Sequence, residues 1–425
     1  MEQCDPESQS LLRQPHQETS TMDGEESYHL LLQEEGTTFS NSCFNMLNAL
    51  SGVGILSIPY AISEAGWTGM WLLVLVAIIC CYTGLLLQKC MDSNMDIQNY
   101  PDIADRAFGY KGKVALSVFF YLELYMLAIE FLILEGDNLA KILPNMSFEV
   151  AGWRIEGSQG FIIISSLVIL PTMWLRSLGL LAYISMGGIL ASLIMVASVM
   201  SVGIFDGVGF HSKGRAFNPS GISTAISLYT FCYCGHAMLP SICSSMKDRT
   251  KFSKVLIISF IVSTLNYGAM GVLGYSMFGE EVKSQITLNL PRGKLSSNIA
   301  IYTTLINPLT KYALIVAPIL VAIEETQPLI KSNVLLNILV RILLLASAVT
   351  LALMLPFFVY LMALIGSSMS CIVSLILPCV CYLKIIGTSR TSKVEMAVIY
   401  GIIVMSSLVA ISGTYNSIHQ IAQHA

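Results

Sequence analysis

Residues 48–61 read NALSGVGILSIPYA. The stretch lies inside an apolar run long enough to cross a bilayer, yet it carries Ser51-Gly52-Val53-Gly54 and then Pro59. Glycine costs about 1 kcal/mol in a helix interior and proline about 3 kcal/mol. A plain membrane anchor gains nothing from either, so the pattern marks a segment in which the backbone itself is needed.

The composition around that stretch sets the class. Of 425 residues 54% are apolar and only 12% charged, about half the charge of an average soluble domain. Runs of membrane-crossing length are expected at 39–61, 67–89, 114–140, 160–175, 179–204, 221–243, 253–278, 300–323, 335–358, 360–383 and 394–415. They are continuous and rich in Leu, Ile and Ala, without the alternation of a barrel strand, so each is expected to be a helix. The chain therefore reads as an all-α polytopic membrane protein with eleven transmembrane helices. No basic stripe supports nucleic-acid binding. HExxH, GxSxG and P-loop patterns are absent from the sequence, so it reads as no enzyme and no cofactor is expected.

Residues 1–38 are of another kind. They hold nine acidic residues against Arg13 alone, and are expected to form a disordered cytosolic tail and no cleavable signal peptide. Residues 39–415 would form the membrane core and 416–425 a short C-terminus on the opposite side. Within the tail, Glu7 with Leu11 and Leu12, and Glu26 with Leu30 and Leu31, fit the acidic dileucine pattern. In similar cytosolic tails that pattern is bound by sorting adaptors for vacuolar or lysosomal delivery, which favours an endomembrane location over the plasma membrane.

Charge distribution gives the orientation. With the tail in the cytosol, fifteen of the 23 Lys and Arg fall on the cytosolic side and seven on the far side, leaving Lys311 inside a span. Asn145-Met146-Ser147 then lies in a far-side loop, where a glycosylation acceptor belongs, whereas Asn218-Pro219-Ser220 is blocked by its proline. No cysteine falls in a far-side loop, so a disulfide framework is not expected. The spacing Cys232-Tyr233-Cys234 is wrong for a structural zinc site, and no metal is expected.

The sixth run repeats the opening feature. It reads TFCYCGHAMLPSI over 230–242, and Pro240 follows Gly235 by five residues as Pro59 follows Gly54. Paired interruptions one five-helix repeat apart are the mark of transporters built from inverted repeats, whose broken helices form the substrate site. A break at Ser51–Gly54 frees N–H groups at the positive end of the following half-helix, which suit a carboxylate. Carbonyls freed at the end of the preceding half-helix suit a cation. An α-amino acid carries both charges on one carbon. Substrate contacts are therefore expected from Asn48, Ser51, Gly52, Val53 and Gly54, with Cys232, Tyr233, Cys234, Gly235 and His236 closing the cage. No charged side chain stands among these residues to pair a substrate side chain, so neutral amino acids are favoured.

The runs NMLNALSGVGILSIPYAISEAGW (45–67), FCYCGHAMLP (231–240), MFGEEVKSQITLNLP (277–291) and TLINPLTKYAL (304–314) resemble the amino acid/auxin permease family. Within that family the similarity is greatest to the vacuolar amino acid transporters and their vesicular inhibitory amino acid relatives. The resemblance covers residues 38–415. It implies the bacterial leucine transporter fold, two inverted five-helix repeats with helices 1 and 6 broken, plus an eleventh helix. It also implies secondary active transport of amino acids, with the binding region at Ser51–Gly54 and Cys232–His236. Import into the vacuole in exchange for protons is the direction implied by the vacuolar subgroup. Export from the vacuole, an amino acid sensor with the same site, and a sodium-coupled plasma-membrane symporter are the alternatives.

Coupling has its own candidates. A mid-bilayer ammonium costs about 2.5 to 3.5 kcal/mol or more, so Lys311 should face the interior and find a partner. Glu123 and Glu130, seven apart on the third run, share a helix face. Either could pair with Lys311, and that pair or His236 is the expected proton carrier. A sodium site built from Thr303, Thr304 or Thr310 competes, although a neighbouring lysine would repel sodium. A monomer in contact with lipid is expected.

Overall fold

The computed structural model describes residues 36–424, except 95, 145, 147, 151, 152, 156, 175–180 and 356, with main chain alone at 148–150, 153–155, 181–186, 310, 314, 331 and 424. The dileucine residues of the tail, and Asn145 and Ser147 of the sequon, lie outside the described residues. Among the described residues sixteen α-helices follow one another: α1 (Phe39–Leu50), α2 (Ile58–Ala65), α3 (Gly69–Asp92), α4 (Tyr100–Phe108), α5 (Tyr110–Ile142), α6 (Gly157–Ile169), α7 (Leu181–Phe205), α8 (Ile222–Cys232), α9 (Leu239–Ser245), α10 (Phe252–Phe278), α11 (Leu295–Thr326), α12 (Pro328–Ser332), α13 (Val334–Met354), α14 (Phe358–Ile365), α15 (Leu377–Ile385) and α16 (Lys393–His424). Between α5 and α6 a small antiparallel hairpin pairs β1 (Phe148–Val150) with β2 (Trp153–Ile155).

Among the described residues nine helical segments are long and apolar enough to cross a membrane, and a tenth is the bent pair formed by α1 and residues 53–65. The protein is thus a multi-pass membrane protein. Each of the nine overlaps an expected run and most extend beyond it by several residues; α16 continues past 415 to His424. The outward face of the helix bundle is apolar in the way lipid requires: Trp71, Ile78, Leu265, Leu335 and Ile411 are all exposed. The interior is filled by large side chains, with Tyr229, Tyr233, Tyr267, Tyr275 and Tyr312 fully buried.

The two breaks have the same local cause. Thr38 caps α1 by accepting from the N–H of Asn41, and α1 stops at Leu50. A 3-10 turn over Val53–Ser57 leads into α2, bent by 48° from α1. Pro59 stands in the first turn of α2 and Pro240 in the first turn of α9. A proline is tolerated there because that N–H has no intrahelical acceptor. Each proline therefore restarts a helix instead of kinking one. α2 ends at Gly66, whose φ of +74° is a backbone form that suits glycine.

Three features depart from the sequence reading. The last tail residues are tied down: the N–H of Thr37 donates to the carbonyl of Ser245 at 2.7 Å, and the N–H of Lys247 to the carbonyl of Thr37 at 3.1 Å. The start of α1 is thereby joined to the end of α9. An amphipathic helix, α4, lies between α3 and α5, held by a capping box of Asn99 and Asp102. Arg341, one of the fifteen Lys and Arg that the charge distribution assigns to the cytosolic side, is buried within α13. It pairs with Glu324 at 3.1 Å, donates from Nε to Asn337 at 2.7 Å, and donates from Nη1 to the carbonyl of Met173.

Candidate functional site

The breaks meet in space. Gly52 has φ −91° and ψ −170°, which any residue can adopt, so backbone strain does not call for glycine there. Nor does packing: a Cβ at Gly52 would meet nothing within 4 Å, whereas one at Gly54 would lie 2.6 Å from Sγ of Cys232. Gly54 lets the two breaks touch, and Gly52 borders open space. Tyr267 on α10 closes the arrangement. Its hydroxyl donates to the carbonyl of Leu50, where α1 ends, and at 3.2 Å to the carbonyl of Cys232, where α8 ends. Helix-end carbonyls lack intrahelical partners, and one buried phenol serves two of them.

A narrow cleft of about 10 Å³, room for about one water molecule, runs from Gly52 toward α7 and α11. Gly52, Val53, Ile55 and Leu56 form one wall; Ala191, Ser192 and Met195 of α7 and Thr303, Thr304 and Asn307 of α11 form the other. None of these side chains carries a charge. Both threonine hydroxyls donate to their own helix, Thr303 to the carbonyl of Ile299 at 2.7 Å and Thr304 to that of Ala300 at 2.9 Å. The side chain of Thr310 is outside the described part.

Beside the cleft stands Lys311. Its Nζ donates to the carbonyl of Ser51 at 3.2 Å, so its partner is the freed main chain of the first break. The expected ion pair with Glu123 or Glu130 is not formed: no salt bridge of Lys311 to either occurs among the described residues. The physical reason is that a broken helix supplies carbonyls as well as a carboxylate would, and the side chain of Lys311 turns toward them. Gly188 on α7 makes room, since a Cβ there would lie 2.2 Å from Oδ1 of Asn48 and 3.3 Å from Nζ of Lys311. Asn48, Ser51, Gly188 and Lys311 thus form one cluster.

The second break is arranged differently from the expected cage. Cys232 faces Gly54, but the three polar side chains after it radiate to other helices. Tyr233 donates to Thr264 at 2.9 Å and stacks on Phe260. Cys234 donates to Oε1 of Glu123 at 2.9 Å. His236 turns to α3, where its Nε2 lies 2.9 Å from Oγ1 of Thr83 and 3.1 Å from the carbonyl of Cys80. Gly235 packs against Leu50, 3.4 Å from where a Cβ would reach. In this arrangement the second break offers the first break the Cys232 side chain and backbone.

Glu123 also accepts from Ser370 at 2.7 Å. Ser370 lies in a π-helical stretch, Gly366–Ile376, that joins α14 to α15 in one span. Wide turns of this kind recur at functional sites, and here the π turn brings Ser370 against α5. Glu130 is fully buried on α5, and neither of its oxygens has a hydrogen-bond partner among the described residues. The ten described cysteines are all free thiols, and no group of three His, Cys, Asp or Glu with metal-holding geometry occurs among the described residues.

Sequence reasoning missed Tyr267, Gly188 and Ser370. The small-residue run SMGGILAS at 185–192 was the available signal for close helix approach on α7. Nothing local distinguishes Tyr267 from the other tyrosines.

Comparison with known proteins gives this geometry its context. The family model described as transmembrane amino acid transporter protein matches residues 35–419. Amino acid transporter AVT1I of Arabidopsis thaliana is 47% identical over 386 residues, covering 91% of this chain and 95% of that protein. Amino acid transporter AVT1J of the same plant is 46% identical over 387 residues, covering 91% and 92%. The vesicular GABA transporter of Caenorhabditis elegans is 27% identical over 404 residues, covering 88% and 78%. With relatives named as transporters and a match spanning both breaks, the chain belongs to the transmembrane amino acid transporter family.

Proposed function

We propose that the protein is a secondary active transporter that carries neutral amino acids into the vacuole in exchange for protons. The observation that carries this reading is the meeting of the two breaks at Tyr267, which gathers the end carbonyls of α1 and α8 around one hydroxyl. Taking α8 and α9 as one broken span adds an eleventh crossing to the ten segments. Broken spans at positions one and six then match two inverted five-helix repeats followed by one extra helix. In that arrangement a substrate carboxylate takes the N–H groups beyond Gly52, with Ser51, Val53 and Asn48 around it. The uncharged cleft walls favour a neutral side chain, and the relatives' names support an amino acid as cargo.

Proton coupling draws support from Lys311. Its ammonium occupies the carbonyl of Ser51, one of the freed oxygens that a sodium ion would need. Glu123, Glu130 and His236 are the further titratable groups beside the breaks. The tail is placed in the cytosol with its dileucine signals, Asn145 and His424 in the lumen. The test is counterflow of twenty labelled amino acids into proteoliposomes of the purified chain, with and without an imposed pH or sodium gradient. Counterflow strongest for neutral amino acids, and accumulation with the pH gradient alone, is expected. Faster flux of glutamate or arginine, or dependence on sodium, would overturn the reading.

A further inference from the structure

Glu123, Glu130 and Asp137 follow one another on α5 at intervals of seven residues. Seven residues make nearly two turns, so successive members of the series drift by only about 20° around the helix and rise about 10 Å. The three carboxylates form one stripe that runs from the level of the breaks to the end of α5, and the three environments differ in an ordered way. Asp137 is partly exposed, and its Oδ2 accepts from Nε2 of Gln285 at 2.9 Å. Gln285 is fully buried and is held in turn by Asn138 at 2.7 Å. Glu130 is sealed from solvent with both oxygens unpartnered. Glu123 accepts from Cys234 in the second break and from Ser370 in the π turn.

From this geometry we infer that the stripe is a proton path from the end of the bundle that carries Asp137 to the second helix break. The inference rests on the proton-exchange reading and names its route. An isolated ionised carboxylate is costly in a low-dielectric interior, and Glu130 has no donor to offset that cost, so its resting form is the neutral acid. The groups around it leave it unpaired. Lys311, on the neighbouring α11, is committed to Ser51, and Arg341 on α13 to Glu324. The Cys232 thiol is within electrostatic reach, and Glu135 lies about 140° around the helix from it. The Glu130 acid first gives its proton, by way of bridging water, to the Glu123 carboxylate, and the Glu130 carboxylate so formed takes a proton from Asp137, which is reprotonated from lumenal water. At each hop one O–H bond breaks and one forms, the donor acid becoming a carboxylate and the acceptor carboxylate an acid. Protonation of Glu123 removes the charge that strengthens its bonds from Cys234 and Ser370. Arrival of the proton thereby loosens the second break from α5 and from the π turn.

The test uses the full chain in proteoliposomes with trapped pyranine, and as probe the labelled amino acid that gives the wild type its fastest counterflow. Glu130→Gln and Asp137→Asn should each keep counterflow within about threefold. Accumulation driven by a pH gradient, and the pyranine signal that accompanies it, should fall at least tenfold in Glu130→Gln and several-fold in Asp137→Asn. Should Glu130→Gln fail to fold, Glu130→Asp takes its place, with slowed but measurable proton flux expected. Undiminished pH-driven accumulation in a folded Glu130 variant or in Asp137→Asn overturns the path. A wild type with counterflow but no proton flux overturns the exchange reading instead, and the path with it.

Discussion

The ammonium of Lys311 donates to the main-chain carbonyl of Ser51 across 3.2 Å. A side-chain cation on one helix is thus held by backbone that the break in another has set free. Movement of the first break and the charge state of Lys311 are tied together by that bond: an altered break removes its acceptor, and a neutral lysine weakens it.

Lys311→Met should therefore keep exchange of amino acid for amino acid and lose at least tenfold in pH-driven accumulation. Since Lys311 and Glu123 are not paired, Glu123→Gln should fail to rescue it, and the two losses should combine without the large coupling expected of neighbours. Uptake into proteoliposomes for the two single variants and the double variant checks this. Recovery in the double variant would contradict the observed partners.

Gly54→Ala places a methyl group 2.6 Å from Sγ of Cys232. Overpacking of this kind costs about 1–3 kcal/mol, and here it wedges apart the two breaks, so both thermal stability and transport should fall. Trimming the neighbour in a Gly54→Ala/Cys232→Ala protein should recover part of each. Thermal unfolding in detergent, followed with uptake, measures both.

Gly52→Ala should behave differently, since a Cβ there meets nothing within 4 Å. The unfolding temperature should stay within a few degrees of wild type. Gly52→Leu should fold as well but occupy the cleft and reduce uptake at least tenfold. A destabilised Gly52→Ala would show that the position is a packing contact.

Tyr267→Phe removes the one hydroxyl that serves the carbonyls of Leu50 and Cys232. Leaving buried acceptors unmade costs about 1–3 kcal/mol, so stability should drop by that order and transport should fall more steeply than expression. Immunoblot together with initial uptake rates separates the two.

Changing Leu11, Leu12, Leu30 and Leu31 together to alanine should move the protein toward the plasma membrane with its transport rate per molecule unchanged. Fluorescence microscopy of a tagged chain and uptake into whole cells provide the readout. Unchanged location would show that the dileucine pairs are not signals.

Much of this protein is written in local sequence. Hydrophobic run length places the spans, because a bilayer demands about twenty apolar residues whatever their neighbours. The breaks are equally local: Gly54 with Pro59, and Gly235 with Pro240, interrupt helices through the covalent properties of two residue types. What those residues face is not local. Only the packed structure turns His236 to Thr83, Cys234 to Glu123 and Lys311 to Ser51, because a polar side chain in a membrane interior takes whichever partner the neighbouring helix presents, and that depends on rotation and tilt set by every other contact. The same holds for Tyr267, one of the chain's 18 tyrosines, set apart by the two carbonyls that two broken helices bring to it.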